Sequence, residues 1–257
     1  MNATSTESRG IVTHTILGPF QQGETKIHVL LPAPRENPIP FRVVYLLPVE
    51  ACDGRVWGDA MAEVLAHHLH DEYRVMFVLP TFSHAPWYAD HPTDPCRRQE
   101  SHLLKVVLPF VENAYPVRTD VEGRFLVGFS KSGWGAYSLL LRHPNVFWKA
   151  AAWDAPLGQA SPSKYGMSEI FPTQASLDPY SVWELLKTRA ADLAEVPRLA
   201  LLGYGDFRGH HQATHYRMMK LGILHEYVDG PQRDHHWQSG WVPDAVKFVV
   251  SCTSASP

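Results

Sequence analysis

Hydrophobic and polar residues follow two different patterns along this chain. Residues 11–19 and 24–32 have the spacing of two strands that can pair as a hairpin around 21–23. From residue 42 onward, short apolar runs such as Val43–Leu47 and Val75–Leu79 alternate with helical patterns. Continuous apolar runs are typical of strands buried on both faces, as in parallel sheets. The pattern therefore predicts an α/β fold with a mostly parallel, doubly wound sheet and helices on both faces.

The predicted elements alternate along most of the chain. Strands are predicted at 11–19, 24–32, 42–47, 73–82, 124–129, 147–153, 198–206 and 224–228, and helices at 57–70, 97–114 and 133–142, with a further helical stretch before the last strand. Residues 155–195 interrupt the alternation, because they hold four prolines with glycine and serine between them. We interpret them as an insertion before the seventh strand, helical in part near 180–194, that forms one wall of the site.

The remaining segments complete a single domain over residues 1–257. Residues 1–10 are polar and are expected to be disordered, and the proline-rich residues 32–40 predict a rigid connection. A chain of 257 residues that is 45% hydrophobic is long enough for one sizeable core.

The sequence Gly128-Phe129-Ser130-Lys131-Ser132-Gly133 lies between a predicted strand and a predicted helix. A serine on so tight a turn is strained and projects its hydroxyl above the sheet edge, and its neighbours must be small. The strict pattern has glycine where this chain has Ser132, which is also small. The pattern predicts a nucleophile elbow with Ser130 as nucleophile, although any α/β protein can contain a glycine-rich turn of this kind.

An aspartate and a histidine follow Ser130 at the ends of later strands. Asp206 ends the strand at 198–206, and the loop at 229–241 carries His235 and His236. Serine, acid and histidine in this order are typical of α/β-hydrolases and differ from the two other well-known serine-triad folds.

The elbow, this order and the insertion resemble the esterase-type branch of the α/β-hydrolases, which includes esterase D-like, feruloyl-esterase-like and mycolyltransferase-like proteins. The resemblance covers about residues 20–250. In that branch the histidine often lies in His-x-Trp with another aromatic residue nearby, and His235, Trp237 and Trp241 match that spacing. The usual His-Gly of the oxyanion loop is absent, since the equivalent residues are 46–51, Leu-Leu-Pro-Val-Glu-Ala. The resemblance implies the α/β-hydrolase fold and a serine esterase.

A triad assigns one role to each residue. Ser130 is the predicted nucleophile, His235 the base and Asp206 the orienting acid, with His236 and Asp154 as the alternatives for base and acid. The backbone N–H of Lys131 and a second N–H from Val49 or Glu50 are the predicted oxyanion donors. A lysine in the first turn of a helix is disfavoured by the helix dipole, which suggests a carboxylate partner, Glu50 or Asp154; the alternative is an ammonium group in water.

Aromatic residues and histidines supply further candidates. We predict that Trp87, Tyr88, Trp134 and Trp237 bind substrate, although tryptophan is more often buried in a core. His211 and His215 have the spacing of a zinc-peptidase helix, and His67, His68 and His70 cluster, but the catalytic glutamate and a third ligand are missing. The sequence therefore predicts no metal and no cofactor.

Charge and cysteine content narrow the function classes. A net charge of −3 with both signs interspersed argues against nucleic acid as a partner. Three widely spaced cysteines suggest a reducing compartment, and no stretch has the ~18 apolar residues of a membrane span, so we expect a cytoplasmic protein. The expected partner is a small-molecule ester, cleaved by hydrolysis or transferred to another acceptor. The competing class is a non-catalytic protein that uses the same fold for binding.

Overall fold

A computed structural model describes residues 4–34, 39–52 and 55–251. Within these ranges, nine strands form one sheet in the order β1-β2-β3-β5-β4-β6-β7-β8-β9. The strands are β1 Thr4–Ser8, β2 Ile11–Leu17, β3 Glu24–Leu30, β4 Arg42–Leu46, β5 Val75–Pro80, β6 Arg124–Phe129, β7 Lys149–Trp153, β8 Leu199–Tyr204 and β9 His225–Gln232.

The sheet has an antiparallel end and a parallel remainder. Strands β1, β2, β3 and β5 pair antiparallel, whereas all pairings from β5 through β4, β6, β7 and β8 to β9 are parallel. The carboxyl ends of the parallel strands therefore meet at one edge of the sheet, where open α/β sheets bind ligands. This agrees with the predicted mostly parallel, doubly wound sheet.

Helices cover both faces of the sheet, as predicted. They are α1 Ala60–Ala66, α2 Leu69–Glu72, α3 Gln99–His102, α4 Leu108–Ala114, α5 Ser130–Arg142, α6 Gln174–Leu177, α7 Val182–Arg189, α8 Arg208–Lys220 and α9 Val242–Val250. Side chains of α1 and α9 pack against one face, and those of α4, α5, α7 and α8 against the other. Successive strand residues face opposite layers, so both layers bury apolar side chains, and this explains why the strands read as continuous apolar runs.

Residues 4–10 differ from the disorder predicted for the amino-terminal segment 1–10. Thr4–Ser8 pairs along its whole length with β2, from Thr4 opposite Thr15 to Ser8 opposite Ile11. Arg9 and Gly10 between the strands both have positive φ, 56° and 76°, as a two-residue hairpin turn requires. Backbone pairing thus orders a strand whose side chains are all exposed. The polar composition, on which the prediction depended, is compatible with an edge strand of this kind.

The insertion at 155–195 is helical in part, as predicted. It contains α6, α7 and a 3-10 turn at Ala190–Leu193, and it packs Leu177, Val182 and Leu186 onto the α5 face.

Residues 1–3, Pro38 in the predicted connection and Cys252 lie outside the described residues. None of the helices within the described ranges is long and apolar enough to cross a membrane.

Candidate active site

Ser130 lies at the turn between β6 and α5. It is the first residue of α5, its φ is +52°, and its side chain is almost completely buried. A positive φ on a residue other than glycine costs roughly 1–3 kcal/mol and persists only where the surrounding structure enforces it. Here the Ser130 N–H donates to the carbonyl of Asp154 at 3.1 Å, which ties the turn to the neighbouring strand end. The strain expected of a nucleophile elbow is therefore present.

The contacts of Ser132 explain why a serine can occupy the position where the strict elbow pattern has glycine. The Ser132 hydroxyl donates to the Phe129 carbonyl at 2.8 Å and accepts from the Phe129 N–H at 3.1 Å. A Cβ at Gly128 would lie 2.5 Å from the Ser132 carbonyl oxygen, and one at Gly133 would lie 2.8 Å from the Ala155 Cβ. Small residues are required on both sides of the turn, and Ser132 also caps it.

His235 reaches this turn from the loop after β9. Its Nδ1 lies 2.5 Å from Oδ2 of Asp154, whose side chain is completely buried at the end of β7. The prediction favoured Asp206 as the partner of His235, so the observed pairing is a correction. The carboxylate of the alternative, Asp154, accepts the hydrogen bond. Strand β7 is hydrogen-bonded to β6, with Trp153 opposite Phe129, so its end lies beside Ser130, whereas β8 is one strand further away.

Asp206 contributes through its backbone instead. Its N–H donates to Oδ2 of Asp154 at 2.9 Å, and the N–H of Phe207 donates to Oδ1 at 2.6 Å, while the Asp206 side chain is exposed. Burial by itself raises the pKa of Asp154, but hydrogen bonds from His235 and from the N–H groups of Asp206, Phe207 and Gly205 hold it below its ordinary value. Asp154 is therefore an ionised, acceptor-only group beside His235 at neutral pH.

His236, the alternative base, faces a different element. Its ring lies against Gly58, where a Cβ would approach Cε1 to 2.3 Å, and its Nδ1 accepts from the Gln238 N–H at 3.2 Å. The backbone carbonyl of His236 accepts from Nε1 of Trp241 at 3.1 Å. The two neighbouring histidines thus diverge, and only His235 is paired with a buried carboxylate.

Aromatic rings surround His235. Trp57, Phe129 and Phe207 lie with ring centroids 5.5, 5.0 and 5.8 Å from the imidazole. Trp57 is 46% exposed and Tyr165, which packs on Phe207 at 5.7 Å, is 45% exposed. His235 is therefore bordered by aromatic rings, and the insertion at 155–195 adds Tyr165 behind Phe207.

Lys131 forms the ion pair predicted for it. Its Nζ lies 2.5 Å from Oε1 of Glu50, and the two side chains are only 11% and 26% exposed. This confirms Glu50, and not Asp154 or bulk water, as the partner of the ammonium group. The pair connects the first turn of α5 to the loop that follows β4.

That loop is the predicted oxyanion loop, and several contacts anchor it. Leu47 donates its N–H to the Val127 carbonyl at 2.9 Å, and the Tyr88 hydroxyl donates to the Pro48 carbonyl at 2.5 Å. Among the described residues, no acceptor takes a hydrogen bond from the N–H of Val49 or of Glu50. Within the part of the chain that the structure describes, both N–H groups predicted as oxyanion donors therefore lack a protein acceptor.

The four predicted substrate-binding aromatics differ from expectation, because all of them are completely buried. The ring of Trp87 packs edge to face at 5.4 Å on that of Trp134, which belongs to α5, and Trp237 packs against Phe129 at 5.1 Å. Tyr88 lies under Gly135, where a Cβ would approach its ring to 2.1 Å. Apolar area removed from water stabilises a core. These four rings therefore belong to the core, as most tryptophans do. Trp57, Phe207 and Tyr165 take the surface position instead.

The histidines considered as zinc ligands have other partners. Nε2 of His211 accepts from the Ala155 N–H at 2.8 Å, while Nδ1 of His215 lies 2.8 Å from Nε2 of His225. Burial lowers the pKa of His211 to about 4, so it stays neutral. Within the described part of the chain, one cluster could hold an ion, namely Asp154, Asp206 and His235, whose ligand atoms lie within 4.8 Å of one another. The Asp154–His235 hydrogen bond and two backbone N–H groups already occupy that cluster, which favours proton transfer over metal binding.

Known proteins share this architecture. The model of the Esterase family matches residues 21–192. Among solved structures, a ferulic acid esterase is similar, with a TM-score of 0.72, 21% identity and coverage of 93% of this chain and 97% of that one. The fluorophosphonate-binding serine hydrolase F of Staphylococcus aureus gives a TM-score of 0.77 at 18% identity, covering 94% and 98%. An S-formylglutathione hydrolase from Agrobacterium tumefaciens gives 0.73 at 16% identity, covering 97% and 99%. No curated protein matches the chain in sequence.

Proposed function

The chain belongs to the Esterase family, and from that membership we propose that it hydrolyses carboxylic esters through an acyl-enzyme formed on Ser130. The observation that carries the proposal is the hydrogen bond of 2.5 Å between Nδ1 of His235 and the buried carboxylate of Asp154. An ionised carboxylate only accepts, so the proton of a neutral His235 is on Nδ1 and the lone pair is on Nε2. That is the tautomer a general base needs.

In the proposed acylation step, the Ser130 oxygen attacks the ester carbonyl carbon while Nε2 of His235 takes the hydroxyl proton. The carbonyl π electrons move onto oxygen and return as the bond to the alcohol oxygen breaks. The imidazolium then gives its proton to the departing alcohol. Water repeats the sequence on the acyl-enzyme, which releases the carboxylic acid and regenerates Ser130. Asp154 stabilises the imidazolium in both halves.

The developing oxyanion needs donors that do not move during the reaction. The N–H of Lys131, in the first turn of α5 where N–H groups lack helical partners, is one proposed donor. The N–H of Val49 or of Glu50 is the other. The Lys131–Glu50 ion pair supports this arrangement, because it links the elements that carry the two donors.

The surface around His235 suggests the substrate class. Trp57 and Phe207 offer apolar rings next to the base, and Tyr165 packs on Phe207, so we propose an ester with an apolar or aromatic group on one side of the scissile bond. The similar ferulic acid esterase and S-formylglutathione hydrolase are named for one aromatic and one small acyl group. A panel of esters that pairs acetyl with arylacryloyl groups on the same alcohol separates these possibilities.

Labelling with a fluorophosphonate probe tests the proposal. The wild-type protein should be labelled on Ser130 and should hydrolyse at least part of the ester panel. Ser130→Ala should lose both, with turnover lower by roughly 10⁴-fold or more. Ser163→Ala, which changes an exposed serine, is the matched control and should behave as the wild type. Absence of both labelling and hydrolysis in the folded wild type would instead favour a non-catalytic binding protein.

A further inference from the structure

Tyr88 is a completely buried tyrosine whose hydroxyl contacts the oxyanion loop. The hydroxyl donates to the carbonyl of Pro48 at 2.5 Å. Two other buried tyrosines, Tyr45 and Tyr137, have hydroxyl groups without a hydrogen-bond partner among the residues described. The contact to Pro48 is thus a specific feature of Tyr88 and not a general consequence of burying a tyrosine.

The carbonyl of Pro48 and the N–H of Val49 belong to the same peptide unit. A trans peptide is planar, and its C=O and N–H point in opposite directions. A donor that holds the Pro48 oxygen therefore also fixes the direction of the Val49 N–H, which points away from the buried tyrosine. A hydrogen bond to the oxygen of an amide also polarises that amide and strengthens its N–H as a donor.

Other side chains hold Tyr88 in this position. Its backbone has a φ of +55°, unusual for an aromatic residue, and its carbonyl accepts from Nη2 of Arg142 at 2.9 Å. The Arg142 guanidinium is bound to Glu100 and lies 4.3 Å from the ring centroid of Tyr180 in the insertion. Gly135 leaves room for the Tyr88 ring, since a Cβ there would lie 2.1 Å from it. Tyr88 is therefore restrained at both its backbone and its ring.

We propose that Tyr88 is a positioning residue for ester hydrolysis, which orients and polarises the Val49 N–H as the second oxyanion donor. This inference rests on the proposed function and selects Val49 over Glu50 as the donor. In this proposal, the buried hydrogen bond from Tyr88 to the Pro48 carbonyl stabilises a loop that lacks the usual His-Gly. The ion pair between Glu50 and Lys131 restrains the following residue of the same loop.

The hydroxyl can donate only while it is protonated. Burial, with the nearby Glu50 carboxylate as a second cause, raises the pKa of Tyr88 well above its ordinary value. The donor is therefore present across the pH range in which an esterase of this kind is assayed.

The variant Tyr88→Phe removes a single oxygen atom and tests the inference. We expect kcat for a good ester to fall roughly 10- to 100-fold with KM changed by less than about threefold, because the donor acts on the transition state. Tyr137→Phe is the matched control, since it removes the hydroxyl of another completely buried tyrosine, on α5 itself. It should leave kcat unchanged. Thermal unfolding of both variants is measured in parallel.

A second pair of variants separates hydrogen bonding from packing and remains informative if Tyr88→Phe is poorly folded. With 4-aminophenylalanine at position 88 the donor is retained, and we expect most of kcat to return. With 4-fluorophenylalanine the size is similar and the donor is lost, so kcat should stay low. Equal kcat for these two variants, or a wild-type kcat for Tyr88→Phe, would overturn the inference while the proposed function stands. A folded wild type that hydrolyses no ester would overturn both.

Discussion

Replacing Asp154 with asparagine is the sharpest test of the candidate site, because it changes one atom of a buried carboxylate. Oδ2 of Asp154 accepts from both His235 and the Asp206 N–H, and Oδ1 accepts from the Phe207 N–H. An asparagine has one oxygen and one NH₂ group to put in these two positions. In either orientation, one backbone N–H faces the NH₂ group and loses its acceptor.

The two orientations of the substituted amide affect His235 differently. With its oxygen at the Oδ2 position, the amide would keep His235 in the productive tautomer but would provide no negative charge for the imidazolium. With its NH₂ group there, it would donate to Nδ1 and place the imidazole proton on Nε2, which removes the base. We expect kcat to fall roughly 100- to 10 000-fold, depending on the balance between them. That range corresponds to about 3–5 kcal/mol of transition-state stabilisation.

The assay is steady-state hydrolysis of the best ester of the panel, with Asp206→Asn as the matched control. The Asp206 side chain is exposed, and its backbone N–H, which supports Asp154, is unchanged by the substitution. We expect Asp206→Asn to retain kcat within about threefold, because the exposed Asp206 carboxylate, although within 4.8 Å of the Asp154 and His235 ligand atoms, is screened by water. If Asp206→Asn were the crippling change and Asp154→Asn the mild one, the reasoning from the observed hydrogen bond would be refuted.

Three further predictions concern the surroundings of the site. Lys131→Met should lower kcat about tenfold with less effect on KM, and combining it with Glu50→Gln should add little, which a double-mutant cycle of kcat measures. His211→Gln should flatten the pH dependence of the unfolding free energy. The pKa of His211 is lowered to about 4, so the unfolded chain binds a proton below pH 6.5 that the folded protein does not bind. The contribution of neutral His211 to the unfolding free energy is therefore complete above pH 6.5. It is lost as the pH falls toward 4, by about 3 kcal/mol, and denaturant titrations over this pH range measure the loss. Trp57→Ala should lower kcat/KM for aryl esters about tenfold relative to acetyl esters, and equal losses for both would contradict a role in specificity.

Most of the fold could be predicted, because burial on both faces of a parallel sheet leaves a direct trace in the sequence. Val75–Pro80 is a continuous apolar run, and so are residues 125–129 of the strand Arg124–Phe129; both strands belong to the parallel region. Thr4–Ser8 has no such trace, since all five side chains are exposed and backbone hydrogen bonds to β2 order the strand. A strand that buries no side chains is invisible to hydrophobic patterning.

The candidate site was predictable where a local turn or a local charge determines it. Ser130 follows from the small residues around the elbow. The unfavourable position of a cation at a helix start indicates a carboxylate partner for Lys131, but it does not choose between Glu50 and Asp154. The acid did not follow, because Asp154 and Asp206 each end a strand and chain order alone favours the later one. Adjacency decides between them, and β7 is the neighbour of β6. The apolar run of residues 150–153, which ends directly before Asp154, was the signal available in the sequence.

The aromatic residues show a different limit. Trp57 lies in the loop after β4 and Trp87 in the loop after β5, so both follow parallel strands at the same edge of the sheet. Trp87 is nevertheless completely buried, whereas Trp57 is 46% exposed. Their sequence contexts do not distinguish these outcomes, because the packing partner of Trp87 is the distant Trp134. Side-chain burial of isolated tryptophans therefore depends on tertiary contacts that a single sequence does not display.

The position of Asp154 determines how two members of the proposed triad are held relative to each other. Ser130 and Asp154 are the residues that follow two hydrogen-bonded strands, both have positive φ, and the Ser130 N–H donates to the Asp154 carbonyl. The separation of nucleophile and acid is thus determined by the spacing of neighbouring strands, about 4.8 Å, and not by a loop. His235 comes from the loop after β9 and is held by one side-chain hydrogen bond among packed rings. The base is therefore the one member of the proposed triad that comes from a loop, whereas the other two follow strands of the sheet. Substitutions in that loop should alter turnover without moving Ser130 or Asp154.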